Sequence, residues 1–143
     1  MNYMHLTFSA VLENVGFARS AVASFLLPLN PTVDEIIEIK TMVSEGVSNA
    51  IIHGYKYDQE QYVCIEVIIE EDYITLIIED YGEGIEDIEK VKRPFYTTKK
   101  DEEHAGMGLT IIENLCDEFD IVSEVDSGVK LIIKKMIKKH GHI

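Results

Sequence analysis

The chain has 143 residues, 46% of them apolar, enough to fill the core of one domain spanning 1–143. Its 26 acidic and 13 basic residues leave a formal net charge of −13, which argues against general binding to nucleic acid or anionic membranes. No apolar run approaches the roughly 18 residues needed to cross a bilayer, and no signal peptide is evident at the N-terminus. Two cysteines, Cys64 and Cys116, are too few for a disulfide framework. They read as core thiols of a cytoplasmic protein.

In residues 3–11, Leu6, Phe8 and Ala10 alternate with polar neighbours, which predicts a half-exposed strand. Asn14 is the expected cap of the next helix, with Phe17, Ala21, Phe25 and Leu29 as its buried face and Pro28 and Pro31 ending it. Thr32 and Glu35 form a capping-box pattern that opens a long helix running to Gly54. Its apolar stripe is Ile36, Ile39, Met42, Val43, Val47, Ala50 and Ile51. Glu45, Asn49 and His53 follow one turn apart as a second, polar line.

Two strand-like runs, Tyr62 to Ile69 and Tyr73 to Glu79, are close enough for a hairpin. The second leads into Asp80-Tyr81-Gly82-Glu83-Gly84. Residues 92–105 lose periodicity and read as a mobile loop, before a helix from Gly106 to about Asp117. Two last strands, Phe119 to Val125 and Val129 to Ile137, turn at Asp126-Ser127-Gly128. This order, β-α-α-β-β-α-β-β, predicts a two-layer α/β sandwich with helices on one face of a mixed sheet. The lysines of the last fourteen residues read as a solvated strand end and tail, whereas Lys90, Lys92, Arg93, Lys99 and Lys100 border the glycine motifs.

A carboxylate and a carboxamide on adjacent turns, Glu45 and Asn49, place a proton acceptor beside a neutral oxygen ligand. That pairing suits a hydroxyl awaiting deprotonation and a metal-bound phosphate. Asp80 can accept from an exocyclic amine such as that of adenine, with Gly82 and Gly84 allowing close approach of a flat ligand. Gly106 and Gly108 at a helix start can turn backbone N–H groups toward phosphates. Each glycine motif alone is weak, and neither is a P-loop or a dinucleotide fingerprint. The five histidines show no metal-ligand spacing, and His53 reads as a packed or capping residue.

Taken together and in this order, Glu45-x3-Asn49-Ala50, Asp80-x-Gly82-x-Gly84, a basic loop and Gly106-x-Gly108 resemble the GHKL ATPases, which have the Bergerat fold. The resemblance implies that Asn49 ligates Mg²⁺ and that Asp80 binds the adenine amine of ATP, with Gly82 and Gly84 admitting the base. It implies that 92–105 is a lid, that Gly106, Met107 and Gly108 hold the phosphates with help from Thr98 and Lys99, and that Glu45 activates the attacking hydroxyl.

The match narrows at Phe17-Ala18-Arg19, Asp34-Glu35, Glu38-Ile39-Lys40-Thr41, Asn49 to Tyr55, Thr97-Thr98-Lys99 and Gly106-Met107-Gly108, which look like the anti-sigma F factors of endospore formers. That resemblance covers nearly the whole chain. It implies a serine-protein kinase that inhibits sporulation sigma factor F and phosphorylates an anti-anti-sigma factor. It also implies Arg19 as the residue that contacts both partners, and a homodimer formed through the N-terminal strand and first helix.

Two positions depart from the family pattern. Gly128 is followed by Val129 instead of threonine, which leaves Ser127 or Lys130 for an adenine contact, and His104 stands where an arginine is usual. The rival readings are a related switch kinase of a general-stress sigma factor and a non-catalytic, ATP-dependent binding module.

Overall fold

Burial with a period of two organises the sheet. In β2 (Tyr62–Glu70) the side chains of Val63, Ile65, Val67 and Ile69 are buried, and in β3 (Tyr73–Asp80) those of Ile74, Leu76, Ile78 and Asp80. The alternate residues, among them Cys64, Glu66, Ile68, Ile77 and Glu79, face the other side and are partly exposed. The computed structural model describes residues 1–82, 105–124 and 127–137. Gly84 and the expected loop 92–105, with Thr98, Lys99, Lys100 and His104, lie outside the described residues apart from Ala105, as does the basic cluster from Lys90 to Lys100.

The remaining strands are β1 (Asn2–Ser9), β4 (Glu118–Glu124) and β5 (Gly128–Met136), and the sheet order is β1-β2-β3-β5-β4. Every neighbouring pair is antiparallel, so the described sheet is not mixed. The reason is topological. The crossover from β3 through α3 (Ala105–Leu115) delivers β4 in the same direction as β3 but one place removed. β5 returns by a short turn and fills the gap antiparallel to both. The α/β sandwich itself stands, with α1 (Asn14–Phe25), α2 (Val33–Asn49) and α3 contributing to one core with the inward side of the sheet.

Local chemistry explains where the helices start. Thr32 Oγ1 accepts from the Glu35 N–H (3.1 Å), and Glu35 Oε1 accepts from the Thr32 N–H (2.9 Å), closing the capping box. Asn14 does not cap α1; its Nδ2 donates to the Ser9 carbonyl (2.9 Å) and ties the helix to the end of β1. The buried face of α1 is also one residue out from expectation. Ala18 and Val22 with the following Leu26 are buried, while Phe17 is 54% exposed. The stripe of α2 matches the expected one from Ile39 to Ile51, with Ile36 only partly buried.

α2 does not end as an ordinary helix. Residues Ala50–Gly54 form a π turn, in which the Tyr55 N–H donates to the carbonyl of Ala50 five residues back (2.9 Å). Cys64 and Cys116 are free and partly buried; Cys116 packs against the core, whereas Cys64 lies on the outward face of β2 and is not a core thiol. Lys135 is buried on the inward side of β5, which corrects its assignment to a solvated strand end.

Candidate functional site

The site is built along the C-terminal half of α2. Glu45 faces α3: a Cβ added to Gly108 would lie 2.9 Å from Glu45 Oε2, so a side chain at that position would press on the carboxylate. One turn further on, Asn49 is the last residue of α2 and is partly buried. The π turn then carries the backbone to Gly54, where an added Cβ would lie 2.7 Å from both carboxylate oxygens of Asp80. From Glu45 to Gly54 the helix rises roughly 13 Å, which leaves room for a phosphate chain at one end and a base at the other.

Asp80 is the inward-facing last residue of β3 and is 3% exposed. Burial pushes its carboxyl up to about 6, and backbone N–H groups of Gly82 and Val129 partly offset this. The Gly82 N–H donates to Asp80 Oδ1 (2.9 Å). Gly82 itself passes so close to the Gly54 carbonyl that no side chain fits between them. Gly128, at φ +94°, crosses the Asp80–Tyr81 backbone with the same tightness and brings Val129 to Asp80.

Tyr55 secures this end of the site. Its hydroxyl donates to the Tyr62 carbonyl (2.7 Å) and accepts from the Tyr81 N–H (2.7 Å), fixing the strand exit just beyond Asp80. Burial pushes the phenol up to about 12, so it stays protonated at neutral pH. Among the described residues no group of three or more His, Cys, Asp and Glu is placed to hold a metal ion.

Comparison with known proteins decides the family. Residues 8–135 match the model of the histidine kinase-like ATPase domain. The chain is 52% identical over 138 residues to the anti-sigma F factor of Geobacillus kaustophilus, covering 96% of this chain and 94% of that one. It is 48% identical over 134 residues to that of Clostridium perfringens, covering 94% and 96%. The chain belongs to the anti-sigma F factor family of histidine kinase-like ATPases.

Solved structures agree on the fold. The RsbU and RsbW domains of a Mycobacterium tuberculosis protein superpose with a TM-score of 0.70 at 18% identity, over 96% of this chain and 32% of that one. The catalytic domain of the histidine kinase ThkA superposes with a TM-score of 0.58 at 18% identity, over 96% and 97% of the two chains.

Within this anti-sigma F factor family member, the fold brings Glu45 to Gly108, and Gly54 and Gly82 to Asp80, with Asn49 between on the helix. Gly106 and Met107 lie in the first turn of α3, so that helix starts beside the Glu45 end. Gly84, Thr98 and Lys99 lie outside the described residues. His53 sits in the π turn, partly buried. Of the two substitutes considered for the missing threonine, Lys130 pairs with Glu79 on the side of the sheet away from Asp80, and Ser127 is exposed. It is instead the backbone of Val129 that reaches Asp80. Arg19 lies on the exposed side of α1, where its Nη1 donates to Oγ of Ser44 (3.4 Å), the residue before Glu45 on α2.

Sequence reasoning missed Tyr55 as a hydrogen-bonding strut and Gly54 as the wall of the Asp80 pocket. A tyrosine directly after a helix-ending glycine was the only available signal.

Proposed function

We propose that this chain is an ATP-dependent serine-protein kinase and anti-sigma factor, which holds sporulation sigma factor F and phosphorylates a serine of an anti-anti-sigma factor. One observation carries the reading. Along one helix, a carboxylate abuts the start of α3 at Gly108, and about two and a half turns later a glycine opens onto a buried carboxylate. The identity to anti-sigma F factors over nearly the full length supports the choice of partners. Among the described residues no helix is long and apolar enough to cross a membrane, consistent with a cytoplasmic role.

The residues fit a nucleotide. Asp80 is an acceptor-only carboxylate when ionised, recessed behind glycine backbone, and so complements an exocyclic amine on a flat base. Gly54 and Gly82 keep side chains out of that recess. At the other end, the backbone N–H groups of the first turn of α3, around Gly106, Met107 and Gly108, would meet phosphate oxygens at the positive end of the helix. Asn49 would hold Mg²⁺ through its amide oxygen, and the cation, when bound, neutralises phosphate charge during transfer. Thr98 and Lys99 would add phosphate contacts, and Gly84 would border the base.

Glu45 then acts as the proton acceptor. As the serine oxygen bonds to the terminal phosphorus and the bond to ADP breaks, Glu45 takes the hydroxyl proton. Arg19 is the partner-contact residue. The exposed apolar side chains of Tyr3, Leu12 and Phe17, on and beside β1 and α1, support a homodimer through that face.

Radiolabelled ATP and a candidate anti-anti-sigma partner test the reading. Wild-type protein should yield phosphoserine, and Glu45→Ala should bind Mg-ATP normally yet transfer about 10²–10⁴-fold more slowly. A tight complex without phosphoserine in the wild type would favour an ATP-dependent binding module instead.

A further inference from the structure

Lys135 has no part in the chemistry above, yet it is buried on the inward side of β5. Its Nζ donates to the carbonyl of Leu115, the last residue of α3 (2.9 Å), and lies 3.7 Å from Glu38 Oε2 of α2. One side chain thus joins sheet, α2 and α3. An apolar residue would fill the space without the cost of burying a charge. What it would not do is bond a helix-end carbonyl in one direction and a carboxylate in another.

The spacing gives the junction a purpose. Glu38 and Glu45 are seven residues apart on α2, and Gly108 and Leu115 are seven apart on α3. Each interval is two helical turns, about 10.5 Å, and returns to the same helix face. Glu45 abuts Gly108 at one end, and Lys135 links Glu38 to Leu115 at the other, so the two helices run antiparallel with matched intervals. The midpoints Met42 and Ile112 are both fully buried. A shift of α3 along its axis would break the Lys135 bond and move Gly108 relative to Glu45 by the same distance. Asp117 also ties the chain after α3 to β5, through its N–H to the Lys134 carbonyl (2.9 Å) and its Oδ2 from the Met136 N–H (2.6 Å). Lys135 extends that anchor to α2.

We propose that Lys135 is a positioning residue that sets the axial register of α3 against α2 and thereby the gap between Glu45 and the phosphate-facing start of α3. This rests on the nucleotide reading given above. The adenine end, at Asp80 and Gly54, lies on the far side of Asn49 and is independent of the register. Loss of the junction should therefore weaken contacts to the phosphates and spare those to the base.

The experiment compares binding of Mg-ATP and of adenosine by wild type, Lys135→Met and Glu38→Gln, by calorimetry at a temperature where circular dichroism shows all three folded. The wild type should prefer ATP. Lys135→Met should reduce the ATP-to-adenosine affinity ratio about tenfold with adenosine affinity unchanged, because weakening one N–H hydrogen bond to a charged phosphate oxygen is worth about that much. Glu38→Gln, altered at a partly exposed position, should shift the ratio the same way by about threefold, as the loss of a partly exposed ion pair allows, and it supplies the answer if Lys135→Met does not fold. Lys135→Arg should restore most of the ratio. An unchanged ratio in Glu38→Gln or in a folded Lys135→Met, even with a lowered melting temperature, overturns the proposal and leaves Lys135 a stability residue. If the wild type binds neither ligand, the nucleotide reading itself is refuted.

Discussion

Replacing Asp80 with asparagine should make the nucleotide-free protein more stable at pH 8 while removing its affinity for ATP. Asp80 is held at about 6 against an ordinary 3.8, with burial as the main cause. At 1.36 kcal/mol per pKa unit, keeping that side chain ionised costs the folded state about 3 kcal/mol above pH 6. The sign follows from proton binding. Between the two pKa values the folded chain holds more protons at Asp80 than the unfolded one, so the contribution of Asp80 is most favourable below pH 3.8 and is lost as pH rises through 6.

Asparagine keeps the shape and still accepts from the Gly82 N–H, but its amide nitrogen would face the Val129 N–H. An unpaired donor costs about 1–2 kcal/mol. The net gain at pH 8 is then about 1–2 kcal/mol, a rise of roughly 2–8 °C in melting temperature. Thermal melts of both proteins at pH 4 and pH 8 read this directly, because the titration of all other groups cancels in the difference. The advantage of Asp80→Asn should shrink or reverse at pH 4. A difference that is the same at both pH values would refute a desolvated carboxylate at this position. Calorimetry on the same samples should show no Mg-ATP binding by the variant at either pH.

Gly54→Ala should weaken ATP binding at least tenfold and cost about 1–3 kcal/mol in urea denaturation, since the new methyl presses on the Asp80 carboxylate. Wild-type affinity for ATP should fall as pH drops from 7 to 5, because protonated Asp80 no longer offers the base amine a full acceptor; titration calorimetry across that range checks it. Tyr55→Phe leaves the Tyr81 N–H and Tyr62 carbonyl unmatched and should cost about 1–3 kcal/mol in denaturant melts. Asn49→Ala should bind ATP equally with and without Mg²⁺, whereas the wild type gains affinity with the cation; parallel titrations in magnesium and in chelator show which holds.

Much of this was legible in the residues because it rests on short-range rules. Alternation in 62–69 and 73–79 places the hairpin, and the Thr32–Glu35 pair places the start of α2 to the residue. The polar line of Glu45 and Asn49 is a matter of helix period alone. The misses share a cause in tertiary packing. In α1 both Phe17-Ala21-Phe25 and Ala18-Val22-Leu26 are apolar lines in the sequence, and it is the second that packs into the core. The π turn at 50–54 has no residue-type signature, since it only shifts which carbonyl each N–H reaches.

Sheet type also escaped, because a βαβ crossover looks the same whether its strands end up adjacent or one place apart. Lys135 did carry a signal that went unused. Two residues from both Ile133 and Ile137, it falls on the inward side of the strand, where a lysine needs partners.

A crystal structure of the protein with magnesium and a non-hydrolysable ATP analogue is the most direct measurement. The base amine should lie within about 3.2 Å of an Asp80 carboxylate oxygen, the magnesium should bond the Asn49 amide oxygen, and the terminal phosphate should sit between Glu45 and the first turn of α3. An analogue seated elsewhere, or one whose base turns away from Asp80, would contradict the account.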